Sequence, residues 1–508
     1  MSLILRQGQV FRTTTLSFER MDVLLEGNRI VALGPKLTSP AGAQELNATD
    51  YFVLPGLINA HTHAHNNLLK CLGDNWTLED LLNHRSAVYG NRTVEDQYLS
   101  AAIGAIEMLK TGCTAAYDLC AISPVPTDEG VEAVVRAYVD VGMRVVIAPS
   151  VSDLSFYETL PGFVELLPIE LLRDIHSFIP ATKDIILKVT KNAIRRWNGF
   201  SGGRIQFGFA PTIPGQCSDT LLKECGRLAR EYDVGLHTHL VETKVQALYA
   251  WHRWGKSQVA HLSELGLLGP RFVGAHGVWL NEDDIKQLAD HGCSIAHNPA
   301  SNLKLGSGIA PIRELLDSGV NVGLATDGSM SSDNQNMFEA LRFAALISKI
   351  RFPHQPDLWI GAKAAWQMAT TGSAKLLGLA DDIGAIEPGR KADLILLRSD
   401  SAFLRPMNHP VNALVYAETG ADVDTVLVDG RIVLQHGRVV TVDEETLRRR
   451  AQESADRLRA ENSSATDTAQ RLAPYIKKAC QTVVTSPYSI NRYAAPLIEN
   501  SNSDSSNW

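Results

Sequence analysis

Pro55-Gly56-Leu57-Ile58-Asn59-Ala60-His61-Thr62-His63 decides how the rest of the chain is read. The apolar run from Tyr51 through Ile58 predicts a buried strand ending on His-x-His. Side chains two apart on a strand share a face. His61 and His63 can therefore reach one cation from a single strand end. Paired imidazoles suit zinc, iron and similar ions rather than magnesium or calcium. An isolated His-x-His serves equally well as a polar strand cap, so the surrounding pattern has to choose.

Outward from this stretch the pattern alternates. Val94–Lys110 has helical spacing and stops before Gly112. Strands are predicted at 114–119, 144–149, 205–210, 234–240, 272–276, 294–298 and 320–327. Helices are predicted at 130–141, 218–231, 256–265, 282–291, 311–318 and 335–349. With the His-x-His strand this makes eight strands with intervening helices, the signature of an α/β (β/α)8 TIM barrel. The stretch 151–203 fits no repeat unit. It would leave the third strand on the active-site face, as a substrate-covering insertion.

The two ends of the chain look alike. Met21-Asp22-Val23-Leu24-Leu25 and Arg29-Ile30-Val31-Ala32-Leu33 flank the turn Glu26-Gly27-Asn28, and strand-and-turn patterns return at 391–397 and 425–434. Residues 1–53 and 380–440 are therefore expected to form one small composite β-sandwich. The barrel would occupy 54–379. Helices are expected within 441–487, and the Asn/Ser-rich 488–508 is expected to be a disordered tail.

Composition narrows the class. The chain has 508 residues, 45% hydrophobic and 20% charged, as a soluble globular protein does. A net charge of -8 and a pI near 6.0 argue against nucleic acid or an anionic membrane as partner. Met1 to Val10 holds Arg6 and no long apolar run, so no signal peptide is expected. No uninterrupted apolar run is long enough to span a bilayer. Seven scattered cysteines without C-x-x-C suit a reducing, cytoplasmic setting.

Four further predicted strand ends are polar. They are His237-Thr238-His239-Leu240-Val241-Glu242, Ala275-His276-Gly277, His297-Asn298 and Thr326-Asp327-Gly328. In a barrel these ends converge on one mouth. Imidazoles and a carboxylate can hold an ion and leave one position for water. The ion lowers that water's pKa towards neutrality, and a nearby carboxylic acid can carry a proton to the leaving group. Periodicity cannot separate His237 from His239, since both face one way.

These segments resemble the amidohydrolase superfamily. The matching stretches are 54–63, 236–243, 275–280, 297–311 (HNPASNLKLGSGIAP), 323–327 and 384–396 (GAIEPGRKADLIL). Within it the chain is similar to the branch of S-adenosylhomocysteine/methylthioadenosine deaminases, guanine-type deaminases and triazine chlorohydrolases. The resemblance implies that His61, His63, His239 and Asp327 bind one divalent metal per subunit, zinc foremost and iron the alternative. It selects His239 over His237, because the family's ligand lies three residues before the glutamate. It also implies that Asp327 takes a proton from the attacking water, that Glu242 protonates the ring nitrogen, and that His276 orients or polarises the water. His297, Asn298 and Asn302 fall in a segment that borders the family's site, where ring contact and structural hydrogen bonding are both open. His65 and Asn66 stand near the mouth, for substrate contact or helix capping. Trp76, Phe156 and Tyr157 are candidates to stack on a flat ring or to pack a lid.

The predicted fourth strand has no lysine for a bridging carbamate, which favours one metal; Lys188 is a weak counter-candidate. Phe209-Ala210-Pro211-Thr212 replaces the His-Ala-Pro-Tyr type segment of the nucleoside deaminases, which counts against an adenosine-like substrate. The expected protein is thus a metal-dependent hydrolase deaminating an amino-substituted heteroaromatic ring, purine-, pterin- or triazine-like. Its partners are a small heterocyclic substrate and water, and the resemblance implies a homodimer or larger. The alternatives are dechlorination or dealkylamination of a similar ring, amide or carbamate hydrolysis, and a non-catalytic scaffold that has kept its ligands.

Overall fold

A computed structural model of the chain describes residues 2–176 and 182–494. Eight strands form a parallel barrel in chain order: β1 (Leu57–Thr62), β2 (Cys113–Asp118), β3 (Arg144–Ile147), β4 (Ile205–Pro211), β5 (Gly235–Leu240), β6 (Phe272–His276), β7 (Ser294–His297) and β8 (Asn321–Leu324). The seam between β8 and β1 is bridged by hydrogen bonds. The Asp327 N–H donates to the His61 carbonyl at 3.0 Å, and the Thr326 N–H donates to Asn59 Oδ1 at 3.1 Å. The barrel read from the alternation is present. Its strands are nearly all apolar because helices cover their outer face and side chains fill the interior.

Local signals fix the helices. Val94–Lys110 starts on a reciprocal cap between Thr93 and Asp96, and the chain leaves it through Gly112 at φ 80°. Lys244–Trp254 is a helix that the sequence reading did not resolve; Thr243 caps it and Gly255, in the left-handed region, ends it.

The run from Tyr51 to Ile58 is two strands rather than one. Tyr51–Pro55 pairs with Ser2–Arg12 and Leu394–Arg398 in a second sheet, and β1 begins after Gly56. A Cβ at Gly56 would lie 2.0 Å from Thr114 Oγ1, so only glycine lets the chain cross here from sheet to barrel. That second sheet has nine strands drawn from both ends of the chain. The strand Arg29–Gly34 turns back on the segment before Leu394–Arg398: the Ile30 N–H donates to the Arg390 carbonyl, and the Ala392 N–H donates to the Asn28 carbonyl, each at 2.9 Å. The expected small sandwich is thus one sheet curled over a core of Leu5, Val10, Val23, Val53, Leu394 and Leu396.

The stretch 151–203 divides in two. Lys183–Trp197 is an ordinary barrel helix packed against Asp128–Val141 and β4. The described part before it, 151–176, runs through two 3-10 turns into the helix Ile169–His176; Phe156 and Tyr157 line a chamber outside the barrel mouth, and Tyr157, Leu160 and Phe163 pack on the helix Ser463–Thr485. Residues 488–494 of the expected disordered tail are packed. Tyr493 meets the Trp279 ring at 5.0 Å, and the Arg492 carbonyl accepts the Ile309 N–H at 2.8 Å. The rest of that tail, 495–508, lies outside the described residues. Among the described residues, no helix is long and apolar enough to cross a membrane. All seven cysteines are free, and five are buried.

Candidate metal-centred active site

The outgoing strand ends meet as their spacing suggested. His61 is the penultimate residue of β1 and His63 follows the strand; His239 lies on β5, and Asp327 follows β8. All four are buried. The ring nitrogens of His61, His63 and His239 lie within 4.8 Å of one another, as do ligand atoms of His61, His276 and Asp327. Asp327 Oδ1 stands 3.5 Å from His61 Nε2 and 3.3 Å from His63 Nε2.

Tautomers follow from the backbone. His63 Nδ1–H donates to the Leu119 carbonyl at 2.7 Å, and His239 Nδ1–H donates to the Thr212 carbonyl at 2.5 Å. With those protons committed, each neutral ring turns a bare Nε2 lone pair inward, and the two nitrogens are 3.1 Å apart. His61 has no hydrogen-bond partner at either nitrogen. Buried polar atoms are rarely left unpaired without a reason. Facing lone pairs, an orphaned imidazole and a carboxylate form the donor set of a zinc-type site, so these residues fit a divalent cation.

The carboxylates are tuned apart. Burial would raise the Asp327 carboxyl, but the His61 and His63 imidazoles standing against it hold it well below the usual range. Its Oδ2 also accepts Ser301 Oγ–H at 2.7 Å, and its Oδ1 accepts the Gly328 N–H at 2.8 Å. Glu242 is the opposite case. Burial, then the charges of Asp327 and Glu79, push its carboxyl well above the ordinary range, and neither oxygen has a partner. His276 stands between them, with Nε2 3.5 Å from Glu242 Oε2 and 4.0 Å from Asp327 Oδ2. Its Nδ1–H donates to Asn302 Oδ1 at 2.9 Å, which leaves Nε2 as an acceptor. Val241, His276 and Asp327 all have positive φ (37°, 72° and 66°), backbone strain of the kind that gathers at functional sites.

A cavity of about 660 Å³ opens over this cluster, with His63, His239, Glu242 and Asp327 in its floor. His65 and Asn66 line it, and both are engaged by Tyr89: Tyr89 Oη–H donates to Asn66 Oδ1 at 2.8 Å and accepts from His65 Nε2 at 3.1 Å. Trp76 does not face the cavity; its ring stacks on His84 at 4.3 Å. Phe156 and Tyr157 line an outer chamber instead. Asn302 acts on His276, and His297 is buried with neither nitrogen partnered and does not line the cavity. His237 packs edge-on against Tyr117 at 4.6 Å, one layer below the cluster. Lys188 is exposed on its helix, away from the mouth. The sequence reading missed Thr212, whose carbonyl orients His239, and Ser301, which sits on Asp327. Ser301 lies inside the HNPASN segment, so that motif carried a signal for it.

A parallel barrel with buried imidazoles and a carboxylate at its outgoing rim defines the class of metal-dependent barrel hydrolases. Residues 52–433 match the Amidohydrolase family, and the chain belongs to it. It is a hydrolase acting on carbon–nitrogen bonds. Similar proteins include a 5-methylthioadenosine/S-adenosylhomocysteine deaminase of Thermococcus kodakarensis, 36% identical over 85% of this chain and 94% of that protein. A 5'-deoxyadenosine deaminase of Methanothermobacter thermautotrophicus is 33% identical over 86% of this chain and 95% of that protein. Among solved structures, a zinc-bound adenosine deaminase from Xanthomonas campestris superposes with a TM-score of 0.80 at 25% identity, over 90% of this chain and 98% of that one. A zinc complex of atrazine chlorohydrolase from Arthrobacter aurescens TC1 gives 0.80 at 28% identity, over 89% of this chain and 100% of that one.

Proposed function

We propose that the chain deaminates an amino-substituted purine, with a 5'-substituted adenosine first in line, around one zinc ion held by His61, His63, His239 and Asp327. The observation that carries this reading is geometric: ligand atoms of His61, His63, His239 and Asp327 converge beside a cavity whose floor also holds Glu242, a buried carboxyl with neither oxygen partnered. A divalent cation at this site supplies a water acidified into the neutral range. His276 Nε2, its tautomer fixed by Asn302, accepts a hydrogen bond from the attacking water and orients it. Asp327 accepts that water's proton. Glu242 gives its proton to the ring nitrogen beside the attacked carbon. Water thus adds across the ring C=N bond. The exocyclic C–N bond then breaks and ammonia leaves with the proton from Asp327, while the added hydroxyl returns its proton to Glu242 and remains on the ring as a carbonyl oxygen.

The relatives named for adenosine derivatives support the purine reading, and the zinc in similar solved structures supports the metal. The Phe209–Thr212 departure is compatible with it, because the Thr212 backbone carbonyl, which any residue offers, holds His239. The similarity to atrazine chlorohydrolase gives a second reading, displacement of chloride from a triazine by the same groups. A homo-oligomer in the cytoplasm completes the proposal and rests on the family likeness. The test is a panel of adenosines, guanine, pterins and chlorotriazines assayed with zinc-loaded protein. Ammonia released from adenosines supports the first reading. Chloride released from triazines, with adenosines untouched, overturns it in favour of the second.

A further inference from the structure

The cavity over the metal cluster continues past its mouth. Leu82, Arg85, Tyr89, Ala121, Ser150 and Gln216 line both it and an outer chamber of about 1200 Å³ that opens to solvent. The outer walls are apolar where Ile122, Pro124 and Phe156 stand, and Ser152 and Ser155 add hydroxyls. Among the described residues no acidic side chain lines this chamber, and Arg85 is its single cation. That is a pointed choice in a chain with a net charge of -8.

Arg85 has no ion-pair partner among the described residues. Its guanidinium packs 5.8 Å from the centre of the Tyr89 ring. A second guanidinium, that of buried Arg92, lies 5.4 Å from the same ring with Nη1 and Nη2 unpartnered, so the local field is doubly positive. Ser150, which borders both chambers, has a buried Oγ without a partner. Tyr89 in turn is hydrogen-bonded to His65 and Asn66, next to His63. The cationic group is therefore held at a fixed distance from the metal cluster by one short chain of contacts.

We propose that the outer chamber is a subsite for an anionic group at the far end of the substrate, gripped by Arg85 and assisted by Ser150 Oγ–H. A planar guanidinium fork matches a carboxylate or a phosphate, and its charge-assisted hydrogen bonds are strong in a partly dehydrated chamber. The apolar walls fit the linker between ring and anion. A substituent remote from the attacked carbon leaves the inner cavity through the opening that Arg85 flanks. The inference rests on the deaminase reading of the inner site, and it makes Arg85 a determinant of which heterocycle is turned over fastest.

The test uses full-length, zinc-loaded protein and three compounds with one ring: 5'-deoxyadenosine, the 5'-carboxylate analogue of adenosine, and adenosine 5'-phosphate. Two quantities are measured: kcat/KM for ammonia release, and Kd by calorimetry for the matching inosine-type products. Arg85→Gln is expected to lower kcat/KM for an anionic compound at least about tenfold more than for the neutral one, the worth of a charge-assisted bond. The loss should fall mainly in KM, the product Kd should follow, and Arg85→Lys should restore part of it. The anion with the larger loss identifies carboxylate or phosphate as the source. Equal losses across the three compounds, or anionic products bound no tighter than the neutral one by unaltered protein, overturn the proposal. Failure of the deaminase reading looks different: no ammonia from any compound, with the Kd comparison still deciding the role of Arg85.

Discussion

The barrel buries ionic clusters at both ends, and they are built on opposite rules. At the base, Arg144 opens β3 and is ion-paired to two aspartates. Its Nε donates to Asp393 Oδ2 at 2.8 Å, and its Nη2 donates to Asp393 Oδ1 at 3.0 Å and to Asp429 Oδ1 at 3.1 Å. The Asp429 N–H closes the circuit on Asp393 Oδ1 at 2.8 Å. This cluster ties the barrel to the curled sheet. At the rim, His61, both Glu242 oxygens and His276 Nε2 lack partners, and three residues hold positive φ. A buried charge network kept for stability satisfies its members. One that leaves them open and strained is poised to receive a ligand.

Substitutions at the two ends should separate these roles. The largest effect is expected at the rim: Glu242→Gln should cut turnover roughly 1000-fold, the range of general acid catalysis. Its melting temperature should hardly move, because neither Glu242 oxygen has a partner to lose. Steady-state ammonia release and calorimetry on the same sample check both halves. Arg144→Ala at the base should do the reverse. Asp393 left buried without its cation, and Asp429 left with Lys391 alone at 4.0 Å, should cost about 3–5 kcal/mol of stability in denaturant titration, while kcat of the folded fraction stays near that of the unaltered protein. If Arg144→Ala killed turnover without destabilising the fold, the contrast between the ends would fail.

Smaller effects sharpen the rim itself. Residues that orient metal ligands usually matter 10- to 100-fold. Ser301→Ala, which removes a donor from Asp327, should therefore reduce activity or metal affinity by about tenfold. The pH profile should give the gentlest signature. Glu242 acts in its acid form and its pKa is raised, so kcat should hold through neutral pH and fall as pH climbs through that raised value. Asp327 acts as a base and its pKa is depressed, so the acid limb should appear only well below the ordinary carboxylate range. Residual turnover in Glu242→Gln should lose the alkaline limb and keep the acid one.

How much of this the sequence disclosed depended on whether the signal was local. Phe272–His276 and Val94–Lys110 could be read from periodicity, caps and stops alone. The His-x-His and His-Leu-Val-Glu strand ends declared the rim, because a barrel sends all outgoing ends to one place. The split of Tyr51–Ile58 at Gly56 was hidden, since an apolar run does not say which sheet it joins. Lys183–Trp197 was mistaken for part of an insertion because the covering segment before it broke the rhythm. Trp76 looked like a ring-stacking residue by type, and the fold turned it onto His84. Thr212 was invisible in principle: the group it offers His239 is a main-chain carbonyl.

The most direct test of the central claim, that His61, His63, His239 and Asp327 share one ion, is the metal content of protein purified from zinc-replete cells. Unaltered protein and Glu242→Gln should each carry about one zinc per chain, and a His61→Ala/His63→Ala double variant that still folds should carry almost none. Full occupancy in the double variant, or a metal-free but active unaltered protein, would contradict it.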